Sequence, residues 1–172
     1  QHIDLARDCG SRIIFGSAGM AESVLGCLAE GGAEVGIVVD ADRAPLRSYE
    51  DWLASSSPEG CDHGSAGIDV CIQAYTSGST GRPKGVLLSH RGLLRNAQLQ
   101  AESNRIDENS RVLLSTPLFY MNATGAGLLP CLSQGGSVVI LKEFDAERVI
   151  DAIETHGCTY TTGVPATYKL IL

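Results

Sequence analysis

Short apolar runs rich in valine, isoleucine and leucine recur along the chain, and helical patterns closed by glycine separate them. Ile13-Ile14-Phe15 reads as a strand, residues 16–19 as a turn, and residues 20–30 as a helix ended by Gly31-Gly32. Residues 35–39 form the next strand, closing at Asp40, which completes a βαβ unit of ordinary length. Further along, Val112-Leu113-Leu114 and residues 138–141 read as strands, and residues 124–132 as a helix stopped at Gly135-Gly136. Asp145 is a plausible N-cap. It opens a helix that places Ala146, Val149, Ile150 and Ile153 on one face and ends at Gly157. Residues 159–162 are β-like, and Pro165 suits the first turn of a last helix. Strands alternating with helices predict an α/β fold, layered, with a largely parallel sheet flanked by helices.

One stretch breaks this rhythm. Residues 75–85 read Tyr-Thr-Ser-Gly-Ser-Thr-Gly-Arg-Pro-Lys-Gly. The glycines allow close backbone approach, and successive N–H groups in such a turn form a concave nest for oxyanions. Hydroxyls of Thr76, Ser77, Ser79 and Thr80 are placed to meet phosphate or a hard cation, and Lys84 adds a point charge. Upstream, Ile68, Val70, Ile72 and Ala74 alternate with Asp69, Cys71, Gln73 and Tyr75, a strand signal. Downstream, Val86-Leu87-Leu88 is a second apolar run, and Ser89 offers an N-cap to a helix starting at His90. No carboxylate occurs from Val70 to Ala101, whereas Arg82, Lys84, Arg91 and Arg95 are basic. The run is no Walker A loop, since Lys84 follows Pro83 and precedes Gly85. A plain Ser/Gly connection between two strands is the competing reading. The Pro-Lys-Gly ending and the charge bias favour a loop that binds nucleotide phosphate.

At these residues the chain resembles the adenylate-forming (AMP-binding) synthetases, which include acyl-CoA synthetases, luciferases and the adenylation domains of peptide synthetases. Their signature loop looks like residues 76–85 after an aromatic such as Tyr75. Pro117-Leu118-Phe119-Tyr120-Met121-Asn122-Ala123-Thr124-Gly125 resembles the family's Pro-Leu-Phe-His segment, and Gly135-Gly136-Ser137-Val138-Val139 leading to Gly163-Val164-Pro165-Ala166 follows its usual course. The resemblance implies a ligase that joins a carboxylate to ATP, releases pyrophosphate and transfers the acyl group from the adenylate to a thiol, CoA above all. It implies that Gly78, Ser79, Thr80 and Gly81 donate to the β- and γ-phosphates. Lys84 and Thr80 would stabilise the reacting phosphates, with Thr76 and Ser77 beside them and Thr76 as a ligand for Mg²⁺. It places Tyr120, Met121, Asn122 and Gly125 along the acyl pocket. Tyr120 stands where many relatives carry an imidazole, keeps an aromatic wall and one hydroxyl, and is no near-neutral base. Core packing is the competing role for it.

The resemblance also marks what this chain lacks. No Tyr-Gly-x-Thr-Glu segment is present, and the family's ribose-binding aspartate, hinge and C-terminal lysine lie beyond Leu172. The expectation is a partial N-terminal AMP-binding domain, inactive alone: a βαβ-like segment at 1–54, a loop at 55–67 and a phosphate-loop α/β segment at 68–172. The missing remainder of the same polypeptide would be its partner. Adenylation domains that load a carrier-protein thiol typically show Phe-Asp where Met121-Asn122 stand, so a plain carboxylate is favoured over an amino acid. A non-catalytic nucleotide-binding remnant is a further alternative.

Composition narrows the remaining classes. The 172 residues carry a net charge of −7 and are 44% apolar, enough for a real core. Twelve acids and four bases precede Thr76, while eight acids and nine bases follow from there, so no basic face suited to nucleic acid is indicated. Six cysteines are scattered without a C-x-x-C pair, with Cys71 and Cys131 expected as buried thiols. No signal peptide or long apolar span is seen, and a reducing, cytoplasmic setting is expected. Gly16-x-x-Gly19 with Asp40 is a partial dinucleotide fingerprint lacking its middle glycine, so a tight turn is the better reading. Ser48 and Asp51 resemble a capping box for a short helix at 49–54.

Overall fold

The computed structural model describes residues 1–42, 44–60, 64–77 and 82–171, and within its first unit, Gln1–Gly64, three parallel strands make one sheet. These are β1 (Ile13–Gly16), β2 (Val35–Val38) and β3 (Arg47–Ser48), in that order, with Ile13 opposite Val35 and Ile37 opposite Arg47. Helix α2 (Ala21–Ala29) crosses from β1 to β2 and packs Ala21 and Val24 against Val38 and Leu46. Gly36 sits directly beneath it: a Cβ there would lie 2.7 Å from Val24 Cγ1 and 2.8 Å from Leu46 Cδ2.

The chain opens with a helix the apolar pattern did not predict, α1 (His2–Cys9), ended by Gly10 at φ 62°. It seats Ile3 and Ala6 against Cys27, too few apolar positions to stand out by periodicity. Helix α3 (Tyr49–Ala54) forms as expected, but Ser48 makes no side-chain cap bond, so the capping box is absent. Aromatic packing takes its place, with Phe15 5.5 Å from Trp52 and 6.5 Å from Tyr49 between ring centroids. Asp40 accepts the Ala18 N–H at 2.5 Å, tying the end of β2 to the turn after β1. That contact accounts for an acid at this position without a ribose.

The second unit, Ser65–Leu172, begins with β4 (Val70–Thr76) and β5 (Lys84–Ser89), an antiparallel pair. Helix α4 (His90–Asn104) follows, then β6 (Arg111–Leu114), α5 (Met121–Ala123), a π-helical segment (Thr124–Leu128), α6 (Leu129–Ser133), β7 (Ser137–Ile140), α7 (Ala146–His156), β8 (Tyr160–Thr161) and α8 (Pro165–Ile171). Strands β7, β6 and β8 lie in that order and all run parallel. Val112 and Leu114 face Ala101, Ile106 and Cys131 on one side, whereas Leu113 meets Val149 and Ala152 on the other. A strand covered on both faces needs an unbroken apolar run, and β6 has one. The architecture is α/β, with parallel sheets flanked by helices and β4–β5 as the antiparallel exception.

Local chemistry explains most element ends here. Ser89 Oγ accepts the Gly92 N–H at 3.2 Å, Asp145 Oδ1 accepts that of Arg148 at 2.9 Å, and Gly157 closes α7 at φ 60°. Three expectations shift. The helix foreseen at 124–132 starts at Met121 and contains a π turn. On α7 the buried residues are Val149 and Ala152, while Ile150 is 41% exposed, because a one-residue step rotates it off the Val149 stripe. Cys131 is buried, and burial pushes its thiol pKa up, but Cys71 is only half-buried.

Candidate functional site

Thr76 and Lys84 form the last pair of the β4–β5 ladder, with Tyr75 opposite Gly85, Ala74 opposite Val86 and Gln73 opposite Leu87 behind them. The two ends of the polar run, residues 75–76 and 84–85, are therefore strand residues, arranged in a particular way. Residues directly opposite in an antiparallel pair share a face with Cβ atoms about 5 Å apart. The Thr76 hydroxyl and the Lys84 ammonium thus emerge side by side at the loop's mouth. Both are exposed, as are Ser77 and Arg82. Among the described residues Lys84 has no ion-pair partner; the ion pairs lie elsewhere, as between Arg12 and Glu34 or Arg148 and Glu143. Gly78, Ser79, Thr80 and Gly81, the expected phosphate donors, lie outside the described residues.

The basic residues of the predicted anion site do not all gather there. Arg91 packs over Gly67, where a Cβ would lie 3.4 Å from its Nε, and its N–H donates to the Gly67 carbonyl at 2.8 Å. This is the base of the hairpin, at the far end of β4 from Thr76.

The second expected cluster leaves the carboxyl end of β6, the edge where open parallel sheets take ligands. Tyr120 N–H donates to the Pro117 carbonyl at 3.0 Å, and Thr124 Oγ1 donates to that of Leu118 at 2.6 Å, so the segment is held as a tight turn. Tyr120 is 54% exposed and Phe119 78%, their ring centroids 4.5 Å apart, so Tyr120 is not among the core residues of this unit. Met121 is half-buried, Asn122 exposed and Gly125 buried. The Gly125 carbonyl accepts a hydrogen bond from Asn96 Nδ2 of α4 at 3.0 Å. A Cβ on Gly125 would meet nothing nearer than 3.7 Å.

Helix α4 links the two clusters in sequence, starting where β5 ends and bonding Gly125 partway along. Among the described residues no hydrogen bond, ion pair or ring contact joins Thr76, Ser77 or Lys84 to Tyr120, Met121 or Asn122. An apolar groove of about 450 Å³ lies between β4, α4 and α6, lined by Ile72, Leu93, Ala97, Leu129 and Leu132. None of the residues expected in an acyl pocket lines it.

Two features escaped the sequence reading. Among the described residues buried Ser115 Oγ and Thr162 Oγ1 have no hydrogen-bond partner, and both follow the carboxyl ends of their strands, β6 and β8. A hydroxyl after an apolar run carries no signal of this kind. Asn96 was the other, and a polar residue on an amphipathic helix reads as solvated until its partner is seen. Among the described residues no group of three or more His, Cys, Asp or Glu is placed to hold a metal ion, and no helix is long and apolar enough to cross a membrane.

Residues 3–172 match the family described as AMP-binding enzyme. The chain is 41% identical over 103 residues to a feruloyl-CoA synthase of an Amycolatopsis species, covering 60% of this chain and 21% of that protein. It is 31% identical over 174 residues to an indoleacetate–CoA ligase of Aromatoleum aromaticum, covering 100% of this chain and 34% of that protein. Among solved structures, the anthranilate CoA ligase AuaEII in complex with anthranoyl-AMP matches with a TM-score of 0.86 at 23% identity, over 97% of this chain and 33% of that one. This last likeness establishes the fold. The chain thus spans about a third of the length of the relatives it matches throughout.

Proposed function

The chain belongs to the AMP-binding enzyme family, and from that premise we propose that the full-length protein is an ATP-dependent acid–thiol ligase, with CoA as the acceptor. A carboxylate oxygen of the acid attacks the α-phosphorus of ATP. The bond from that phosphorus to the bridging oxygen breaks, and pyrophosphate leaves with the electron pair. The CoA sulfur then attacks the acyl carbon of the adenylate and expels AMP. A carboxylate is already a nucleophile, so the first step needs position and charge stabilisation rather than a base.

The observation that carries this reading is the Thr76–Lys84 pair, an exposed hydroxyl and an exposed ammonium opposite one another where a glycine-rich run departs, the ammonium without an ion-pair partner among the described residues. Lys84 offsets the charge that builds on the departing pyrophosphate, and Thr76 and Ser77 orient the phosphate oxygens. Gly78, Ser79, Thr80 and Gly81 are assigned as further phosphate donors by the family's signature sequence alone. ATP arrives as its magnesium complex. The Thr76 hydroxyl is a hard oxygen donor, which suits an ion that keeps most of its ligands as water and phosphate. Tyr120, Met121, Asn122 and Gly125 border the acyl group, and Tyr120 acts there as a wall. The two units are successive segments of one N-terminal nucleotide-binding region, so residues 1–172 alone do not complete the reaction.

Acid-dependent exchange of labelled pyrophosphate into ATP tests this reading. The full-length protein should exchange with one class among aryl, fatty and amino acids, and thioester should follow when CoA is added. Absence of exchange with every acid, in protein that binds ATP, would overturn it. Robust thioester formation by residues 1–172 alone would overturn the incomplete-site part.

A further inference from the structure

The stem of the loop carries a side-chain contact that neither the proposed chemistry nor the hydrogen-bonded ladder requires. Gln73 and Tyr75 lie two residues apart on β4 and so share a face; Gln73 Nε2 donates to the Tyr75 hydroxyl at 2.8 Å. Tyr75 stands opposite Gly85, the one residue of β5 without a side chain. The Gln73 amide fills the space this leaves. A Cβ built on Gly85 would fall on Gln73 Nε2 and lie 3.2 Å from its Cδ and 3.3 Å from its Cγ. Gln73 therefore reaches diagonally across the ribbon and braces the rung immediately behind Thr76 and Lys84.

Such a brace is needed here. Among the described residues β4 and β5 pair only with each other, and an isolated two-stranded ribbon is marginal. The ladder is already irregular at its base, where the register shifts between Val70 and Ile72. A further one-residue slip would turn alternate side chains to the opposite face, separating the Thr76 hydroxyl from the Lys84 ammonium.

We propose that Gln73 is a positioning residue for the nucleotide: through the Tyr75 hydroxyl and the gap at Gly85 it fixes the rung that presents Thr76 and Lys84 to the phosphates. The inference rests on the phosphate-loop reading above and adds a residue outside the loop.

A double-mutant cycle on the full-length protein tests it, read by pyrophosphate exchange. Gln73→Leu keeps the bulk and removes the donor; Tyr75→Phe removes the acceptor. Each should raise the KM for ATP about 3- to 10-fold, the range set by one hydrogen bond, and leave the KM for the acid unchanged. The double variant should be no worse than the weaker single. A merely structural contribution would move both KM values together or add in the double. Either of those outcomes, or unchanged ATP KM values in folded protein, would overturn the proposal. Should Gln73→Leu fail to fold, Tyr75→Phe alone carries the ATP-versus-acid comparison. Lys84→Ala run alongside separates the two ideas. If it too is silent, the phosphate-loop reading fails and takes this one with it; if it is impaired while Gln73→Leu is silent, the brace alone falls.

Discussion

Thr76 and Lys84 stand directly opposite one another as the final rung of the β4–β5 ladder, so a hydroxyl and an ammonium share one face where the loop departs. The backbone hydrogen bonds of the ladder set their spacing. A lysine on a free loop would have to be ordered before it could act; one on the first position of a strand has its Cα already placed. Preorganised charge of this kind acts on a transition state without reorganisation at the moment of reaction.

Replacing that charge gives the most direct prediction. Lys84→Ala in the full-length protein should lower the rate of acid-dependent pyrophosphate exchange about 10- to 1000-fold, in line with the loss of one electrostatic stabiliser. Lys84→Arg should recover part of it, because charge is retained while the broad guanidinium replaces a compact ammonium. An exchange rate equal to wild type in Lys84→Ala would mean that this ammonium does not meet the phosphates.

Gly136 offers a test of packing away from the loop. A Cβ there would lie 2.8 Å from the Ser110 carbonyl, 3.1 Å from that of Asp107 and 2.7 Å from Cys131 Sγ. Two of these atoms belong to the backbone and cannot rotate away. Gly136→Ala should cost about 1–3 kcal/mol of stability, typical of an overpacked site, read as a lower urea midpoint. Gly135→Ala meets only Glu108 Cβ, at 3.9 Å, and is strained chiefly by its φ of 80°, so its penalty should be the smaller one.

How much of this was legible beforehand depends on how local the cause was. Ser89, Asp145 and Gly157 act on backbone groups within a few residues, and all three predicted element ends hold. The β6 run Val112-Leu113-Leu114 announced a strand, and its cover on both faces came with the structure. Partnerships set by tertiary structure were not readable. Arg91 looked like part of an anion site and packs at Gly67 instead. Asn96 carried no signal in the sequence and bonds Gly125, 29 positions along the chain. The short helix α1 has too few apolar residues to show a period, and its ordering comes from Cys27 of α2. The loop motif pointed to phosphate chemistry through its composition. A connection between two strands was already the competing reading of this run; that Thr76 faces Lys84 emerged only with the register.

The helix caps separate sequence pattern from realised contact. Asp145→Ala removes the acceptor of the Arg148 N–H, and Ser89→Ala that of the Gly92 N–H. Each should cost about 0.5–2 kcal/mol in chemical denaturation. Ser48→Ala deletes no cap bond, because the Ser48 side chain makes none, and should fall within about 0.5 kcal/mol of wild type. A Ser48→Ala loss as large as that of Asp145→Ala would restore the capping box.

A pH-dependent contribution should come from Asp107, in the turn between α4 and β6. Ser110 Oγ donates to Asp107 Oδ1 at 2.8 Å and the Asn109 N–H donates to the same oxygen at 3.0 Å. The Ser110 hydroxyl foremost, with backbone N–H groups behind it, holds this carboxyl below the usual carboxylate range. The folded state thus prefers the ionised form. The added stability is present above the unfolded value of about 3.9 and drains away as pH falls through the lower folded value. Asp107→Ala should therefore be less stable than wild type by a constant margin between about pH 5 and 7, and the margin should shrink below about pH 4. Denaturation curves for both proteins across that range decide it. A margin that widens on acidification would require the opposite linkage, with the protonated carboxyl as the form the fold prefers.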